Sequence, residues 1–134
     1  MAERHERGLL DTSILVDLET FPEATLPIEA AISAVTLAEL AAGVHTAKDP
    51  RERGARMARL QAIEASCECL PFDSDAARSY GQLVALAIAA GQQHRPRRLD
   101  LMIAATASVH GLPLYTRNGK DFRALSDAMT IVAL

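Results

Sequence analysis

The sequence predicts one α/β domain, spanning residues 1–134, with a mostly parallel central sheet. Three observations carry that expectation. A chain of 134 residues has the length of a single domain with one sizeable core. Short apolar runs alternate with Ala-rich segments of helical periodicity, the order expected of strands joined by crossover helices. Pro and Gly residues fall between these segments, where helices start and stop.

Taken in order, an apolar strand over 8–10 runs into Asp11, Thr12 and Ser13. Helical spacing of Ile14, Leu15 and Leu18 follows and should end before Pro22, which a helix interior does not tolerate. Residues 29–35 read as a second buried strand, and 36 to about 43 as a helix. Pro50 marks a helix start. From 51 to about 64, Arg51, Arg53, Arg56 and Arg59 alternate with Met57, Leu60 and Ile63, an amphipathic pattern with a positive outer face. A third strand is expected over 67–72. Asp73 then caps a helix running to about 90 and stopped by Gly91. After a turn at Pro96, residues 99–110 form a helix ended by Gly111, and 112–115 a fourth strand. A loop over 116–122, a short helix from 123 to about 126 and a strand over 129–132 complete the pattern.

Composition narrows the class. With 49% hydrophobic and 23% charged residues, the chain has an ordinary globular balance. No apolar run reaches the eighteen or so residues of a membrane span, and the first seven residues lack the apolar stretch of a signal peptide, so a cytoplasmic protein is expected. Cys67 and Cys69 lie two apart and read as small packing residues. The net charge of -3 argues against a nucleic-acid binder, unless acids cluster around divalent cations that offset them.

Four acids stand where such a cluster would form. Asp11 and Asp121 follow the first and fourth strands, Glu39 opens the helix after the second, and Asp100 opens the helix leading into the fourth. Each has a local explanation. Asp11 could cap a helix, Thr36 and Glu39 could form a capping box, Asp100 could answer the helix dipole, and Asp121 could belong to a turn after Asn118-Gly119. Those explanations do not account for all four falling at one edge of a parallel sheet, since a right-handed crossover brings the helix N-terminus there too. Two unit charges 5 Å apart repel by about 3 kcal/mol at an effective dielectric of 20, so such a group calls for a cation. Oxygen ligands without Cys or His point to a hard ion, Mg²⁺ or Mn²⁺, and to phosphoryl chemistry.

The stretches Gly8-Leu-Leu-Asp11-Thr-Ser13, Thr36-Leu-Ala-Glu39-Leu40, Leu99-Asp100-Leu-Met-Ile103-Ala-Ala105-Thr-Ala107 and Thr116-Arg-Asn118-Gly-Lys-Asp121-Phe122 together resemble the PIN domain, in its VapC-type toxin branch. The likeness runs from about residue 7 to 132. It implies a three-layer α/β/α sandwich, a Mg²⁺-dependent endoribonuclease, a homodimer, and a cognate VapB-like antitoxin. It also implies that Asp11, Glu39, Asp100 and Asp121 are the catalytic, metal-binding acids, with Thr12, Ser13, Thr116 and Asn118 in support. Asn118 stands where some relatives carry a further acid, which leaves one or two metal ions open.

Basic residues flank the acids. Arg97 and Arg98 precede Asp100, and Arg117 and Lys120 bracket the approach to Asp121, so these four are the candidate contacts to RNA phosphates. With three Phe, two Tyr and no Trp, base stacking should be minor. A receiver-type phosphoacceptor would need an acidic pair near the end of the first strand, and a haloacid-dehalogenase-like phosphatase an aspartate where Ser13 stands. Rossmann and P-loop glycine patterns are absent. The rival of a different class is a non-catalytic RNA- or partner-binding module on the same fold.

Overall fold

The computed structural model describes residues 4–134. Its centre is a sheet of five strands, β1 (Arg7–Leu10), β2 (Glu29–Ser33), β3 (Glu68–Leu70), β4 (Leu114–Thr116) and β5 (Ile131–Ala133). Their order is β3-β2-β1-β4-β5 and every pairing is parallel. Among the described residues five α-helices accompany it: α1 (Thr12–Leu15), α2 (Ala34–Thr46), α3 (Pro50–Ser66), α4 (Ser74–Ala89) and α5 (Arg98–Val109).

Successive strand residues point to opposite faces, and both faces are covered. Leu9, Ala31 and Leu114 enter one buried cluster with residues of α4 and α5. Their neighbours Leu10, Ile32 and Tyr115 enter another with Ile14, Leu15 and Ile63 from α1 and α3. The result is the expected α/β/α sandwich. Gly8 is required in β1 because a Cβ there would fall 2.5 Å from Cε1 of Tyr115. In α5 the small residues Ala104, Ala105 and Ala107 are fully buried, which lets that helix lie close against the sheet.

Several boundaries differ from the sequence expectation for identifiable reasons. The first helix stops at Leu15, well before Pro22, and short 3-10 turns at Leu18–Thr20 and Glu23–Thr25 replace its continuation. Asp17 leaves the helical region and pairs with Arg117 at 2.6 Å, so a distant partner overrides the local pattern. β2 ends at Ser33, whose hydroxyl accepts the N–H of Val35 and caps α2 two residues before the expected start. Helix α2 runs past Gly43 to Thr46. Pro71 and Pro113 supply no donor, and β3 and β4 stop or start beside them. The expected loop and short helix after β4 form one 3-10 segment, Gly119–Leu125. Gly91 and Gly111 adopt positive φ angles of 78° and 64°, as helix-stopping glycines should. Cys69 is exposed and is no packing residue, whereas Cys67 is half-buried.

Candidate metal and nucleic-acid site

The strand order reverses between β1 and β4, and in an open parallel sheet ligands bind outside the carboxyl ends of the strands at that point. Asp11 leaves β1 there and is 2% exposed. It holds the N-cap position of α1 but makes no capping bond. Instead its Oδ2 accepts hydrogen bonds from Ser13 Oγ at 2.8 Å and from Thr116 Oγ1, at the end of β4, at 2.9 Å. Both fall on one oxygen, leaving Oδ1 without a protein donor among the described residues. Ser13 and Thr116 are themselves fixed, accepting the backbone N–H groups of Arg117 and Asn118.

Glu39 is braced in a similar way. Thr12 Oγ1 lies 2.9 Å from Glu39 Oε1 and 3.1 Å from Thr36 Oγ1. Thr12 is the donor in both contacts, so its one hydroxyl proton is shared between the Glu39 carboxylate and the buried Thr36. The capping-box explanation of Thr36 and Glu39 therefore fails, because Ser33 caps the helix and Thr36 supports Thr12. The sequence reads Thr36 as a helix cap; its place one turn before Glu39, on the same face of α2, is the signal for its contact with Thr12. A second buried hydroxyl pair, Ser33 with Thr106 at 2.9 Å, ties the end of β2 to α5 and so fixes the helix that carries Asp100.

Asp100 lies in the first turn of α5. Its carboxyl is pushed up from an ordinary 3.8 to about 6, first by burial and then by the negative charges of Asp11, Glu39 and Asp121, with Arg97 opposing. A helix dipole acting alone would lower it. The four acids therefore share one electrostatic neighbourhood. They are not drawn into a tight ligand group, since among the described residues no three acidic, His or Cys side chains are placed to hold an ion together. The donor set is nonetheless all carboxylate and hydroxyl oxygen, with a surplus of negative charge, and such a set fits a hard divalent cation.

The basic residues divide into committed and free. Arg97 donates to the backbone oxygen of Asp121 at 2.8 Å and pairs with its carboxylate at 3.1 Å. It orients an acid of the site. Arg117 lies 2.6 Å from Asp17 and stacks over Phe21, with its guanidinium carbon 5.6 Å from the ring centre. Arg98 is exposed and, among the described residues, bonds only the carbonyl of Arg95. Lys120 is exposed without a hydrogen bond or ion pair among the described residues, and the exposed Asn118 contributes its backbone N–H to Thr116.

A family model for the PIN domain matches residues 8–128. Ribonuclease VapC5 of Mycobacterium tuberculosis is 39% identical over 127 residues, covering 92% of this chain and 91% of its own. Ribonuclease VapC of Rickettsia bellii is 29% identical over 127 residues, covering 89% and 90%. Among solved structures, VapBC-5 of Mycobacterium tuberculosis, a member of the VapBC family of toxin-antitoxin systems, superposes with a TM-score of 0.83 at 37% identity, covering 96% of this chain and 99% of that one. The domain match, the level of identity and the shared sheet topology together place this chain in the PIN-domain family, in its VapC branch.

Proposed function

We propose that the chain is a Mg²⁺-dependent endoribonuclease, the toxin of a toxin-antitoxin pair, with Mn²⁺ as a substitute ion. The observation that carries this reading is the gathering of Asp11, Glu39, Asp100 and Asp121 at the sheet's switch point, close enough that burial and then the other three charges raise the Asp100 pKa. When bound, the metal would polarise the phosphodiester and make an attacking water more acidic at neutral pH. Asp11, Glu39, Asp100 and Asp121 would hold it.

The chain's own groups prepare that site. Ser13 and Thr116 fix one oxygen of Asp11 and leave the other open, while Thr12 fixes one oxygen of Glu39 in the same way. Arg97 sets the direction of Asp121. Arg98 and Lys120, exposed and without acidic partners among the described residues, are placed to receive RNA phosphates beside the acids. Arg117 would have to leave Asp17 to do so.

The VapC names of the curated relatives support RNA as substrate, and the VapBC neighbour supports a VapB-like antitoxin as partner. A homodimer belongs to the same proposal and is tested by light scattering. No described helix is long and apolar enough to cross a membrane. The deciding experiment is cleavage of single-stranded RNA by the purified chain with millimolar Mg²⁺ and with excess EDTA. Cleavage only with the ion is expected. RNA bound but left intact under both conditions would assign the fold to a non-catalytic binding module.

A further inference from the structure

A cavity of about 460 Å³ opens beside the acids, between α1, α2 and α3. Thr12 and Glu39 both line it, so one of the four acids, with the hydroxyl that braces it, faces the cavity. Val16, Leu40 and Leu60 give it an apolar wall, and Arg59 of α3 adds a cation. Arg56 is also on this wall but is committed, donating to the Gly43 carbonyl at 2.6 Å and pairing with Glu52. Arg59 has no hydrogen bond or ion pair among the described residues and can take an anion.

We propose that this cavity is a subsite for one nucleotide of a single-stranded RNA. In this assignment the nucleotide next to the phosphate at the acids packs its base on Val16, Leu40 and Leu60, and Arg59 pairs with its phosphate. The inference rests on the ribonuclease reading and extends it to a residue and a place. Three features favour a nucleotide. The volume lies within the roughly 300 to 1,000 Å³ of small-ligand pockets. An apolar wall beside one unpaired guanidinium suits a flat base carrying an anion. Glu39 lines the cavity, so the adjoining phosphate would sit on its side, toward the metal-binding acids.

The fold also supplies a means of filling the cavity. Gly43 lines it, and a Cβ built there would meet nothing closer than Nη1 of Arg56 at 3.9 Å. Gly43 lies inside α2, where replacing glycine removes a helix penalty. Gly43→Phe and Gly43→Met should therefore occupy the cavity with α2 intact.

The test measures fluorescence anisotropy of a labelled, mixed-sequence single-stranded RNA of about ten nucleotides, at several salt concentrations. The protein is the full chain carrying Asp100→Asn so that the RNA stays intact, and cleavage by the otherwise wild-type chain is followed separately. Arg59→Ala should raise Kd by roughly tenfold and reduce the slope of log K against log salt by about 0.7, one phosphate contact on a single strand. Arg59→Lys should recover most of both. Gly43→Phe or Gly43→Met should raise Kd at an undiminished melting temperature. In the cleavage assay the same changes should raise KM and leave kcat nearly unchanged.

Affinity and salt slope unaltered in Arg59→Ala and in both Gly43 variants would overturn the subsite, even if the wild-type chain cleaves RNA with Mg²⁺. Weakened binding beside a wild-type chain that never cleaves would keep the subsite and remove the ribonuclease reading. Unchanged RNA binding with loss of antitoxin binding alone would give the cavity to the protein partner and overturn the proposal.

Discussion

The two ends of the sheet both gather acids, and they treat them differently. At the amino end Arg7, Glu29 and Glu68 open three neighbouring strands, β1, β2 and β3. Arg7 lies 3.9 Å from Glu29 and 3.2 Å from Glu68, and all three side chains are between 44% and 69% exposed. One cation shared by two solvated acids is a modest surface arrangement. At the carboxyl end four acids share one electrostatic neighbourhood. Arg97 is ion-paired with one of them, Asp121; Asp11 is buried, and hydroxyls in place of cations brace two of the carboxylates. An acid at a strand end is therefore uninformative in itself. Burial, charge surplus and neutral bracing make the carboxyl end a site.

The largest expected effect comes from removing one charge at the carboxyl end. Asp100→Asn should keep the fold and lower RNA cleavage at least about a hundredfold, the loss of roughly 3 kcal/mol of transition-state stabilisation. Turnover within a few-fold of wild type would reduce Asp100 to a helix-end residue. Next comes the bracing. Thr116→Val removes the hydroxyl that donates to Asp11 from β4 and should weaken Mg²⁺ binding, read by titration calorimetry, by about ten- to a hundredfold. An unchanged affinity would show that Ser13 suffices.

A smaller effect should appear in stability without metal. The folded pKa of Asp100 lies above its unfolded value, so the native state holds this proton more tightly, and its stabilising contribution is full below about pH 4 and lost as pH rises through about 6. The full displacement from 3.8 corresponds to about 3 kcal/mol, and solvent at this partly exposed carboxyl reduces that to on the order of 1. In EDTA, Asp100→Asn should melt about 4 °C above wild type at pH 7, with the gap closing toward pH 4. A pH-independent gap would remove the electrostatic account. Smallest of all, Arg7→Ala should cost no more than about 1 kcal/mol, less in high salt, and leave cleavage unchanged. A loss of activity there would break the contrast between the two ends.

The acids were legible because their signal is local: Asp11 and Asp121 come after strands, Asp100 opens a helix, Glu39 lies in the second turn of one, and the topology rules bring those positions to one edge. Their bracing was not. Thr36 looks like a helix cap until Ser33 is seen to cap instead, and both are hydroxyls within four residues of each other. Arg97 and Arg117 read as phosphate contacts because their partners lie 24 and 100 residues away and no periodicity announces such pairings. The early end of α1 has the same origin. Helices α3, α4 and α5 were read nearly to the residue because their caps and apolar faces agree with the packing around them, whereas the cavity under Arg59 exists only once three separate elements assemble.

The bond from Thr116 to Asp11 spans 105 positions. During synthesis at roughly 5 to 20 residues per second, the acid therefore waits about 5 to 20 s for the hydroxyl that orients it. Strand β1 likewise waits for β4, beside which it lies in the finished sheet. Throughout that interval a growing chain carries Asp11, Glu39 and, near its close, Asp100, without the β4 end that aligns the first of them. The switch-point topology thus leaves the site incomplete on a growing chain until β4 has been made.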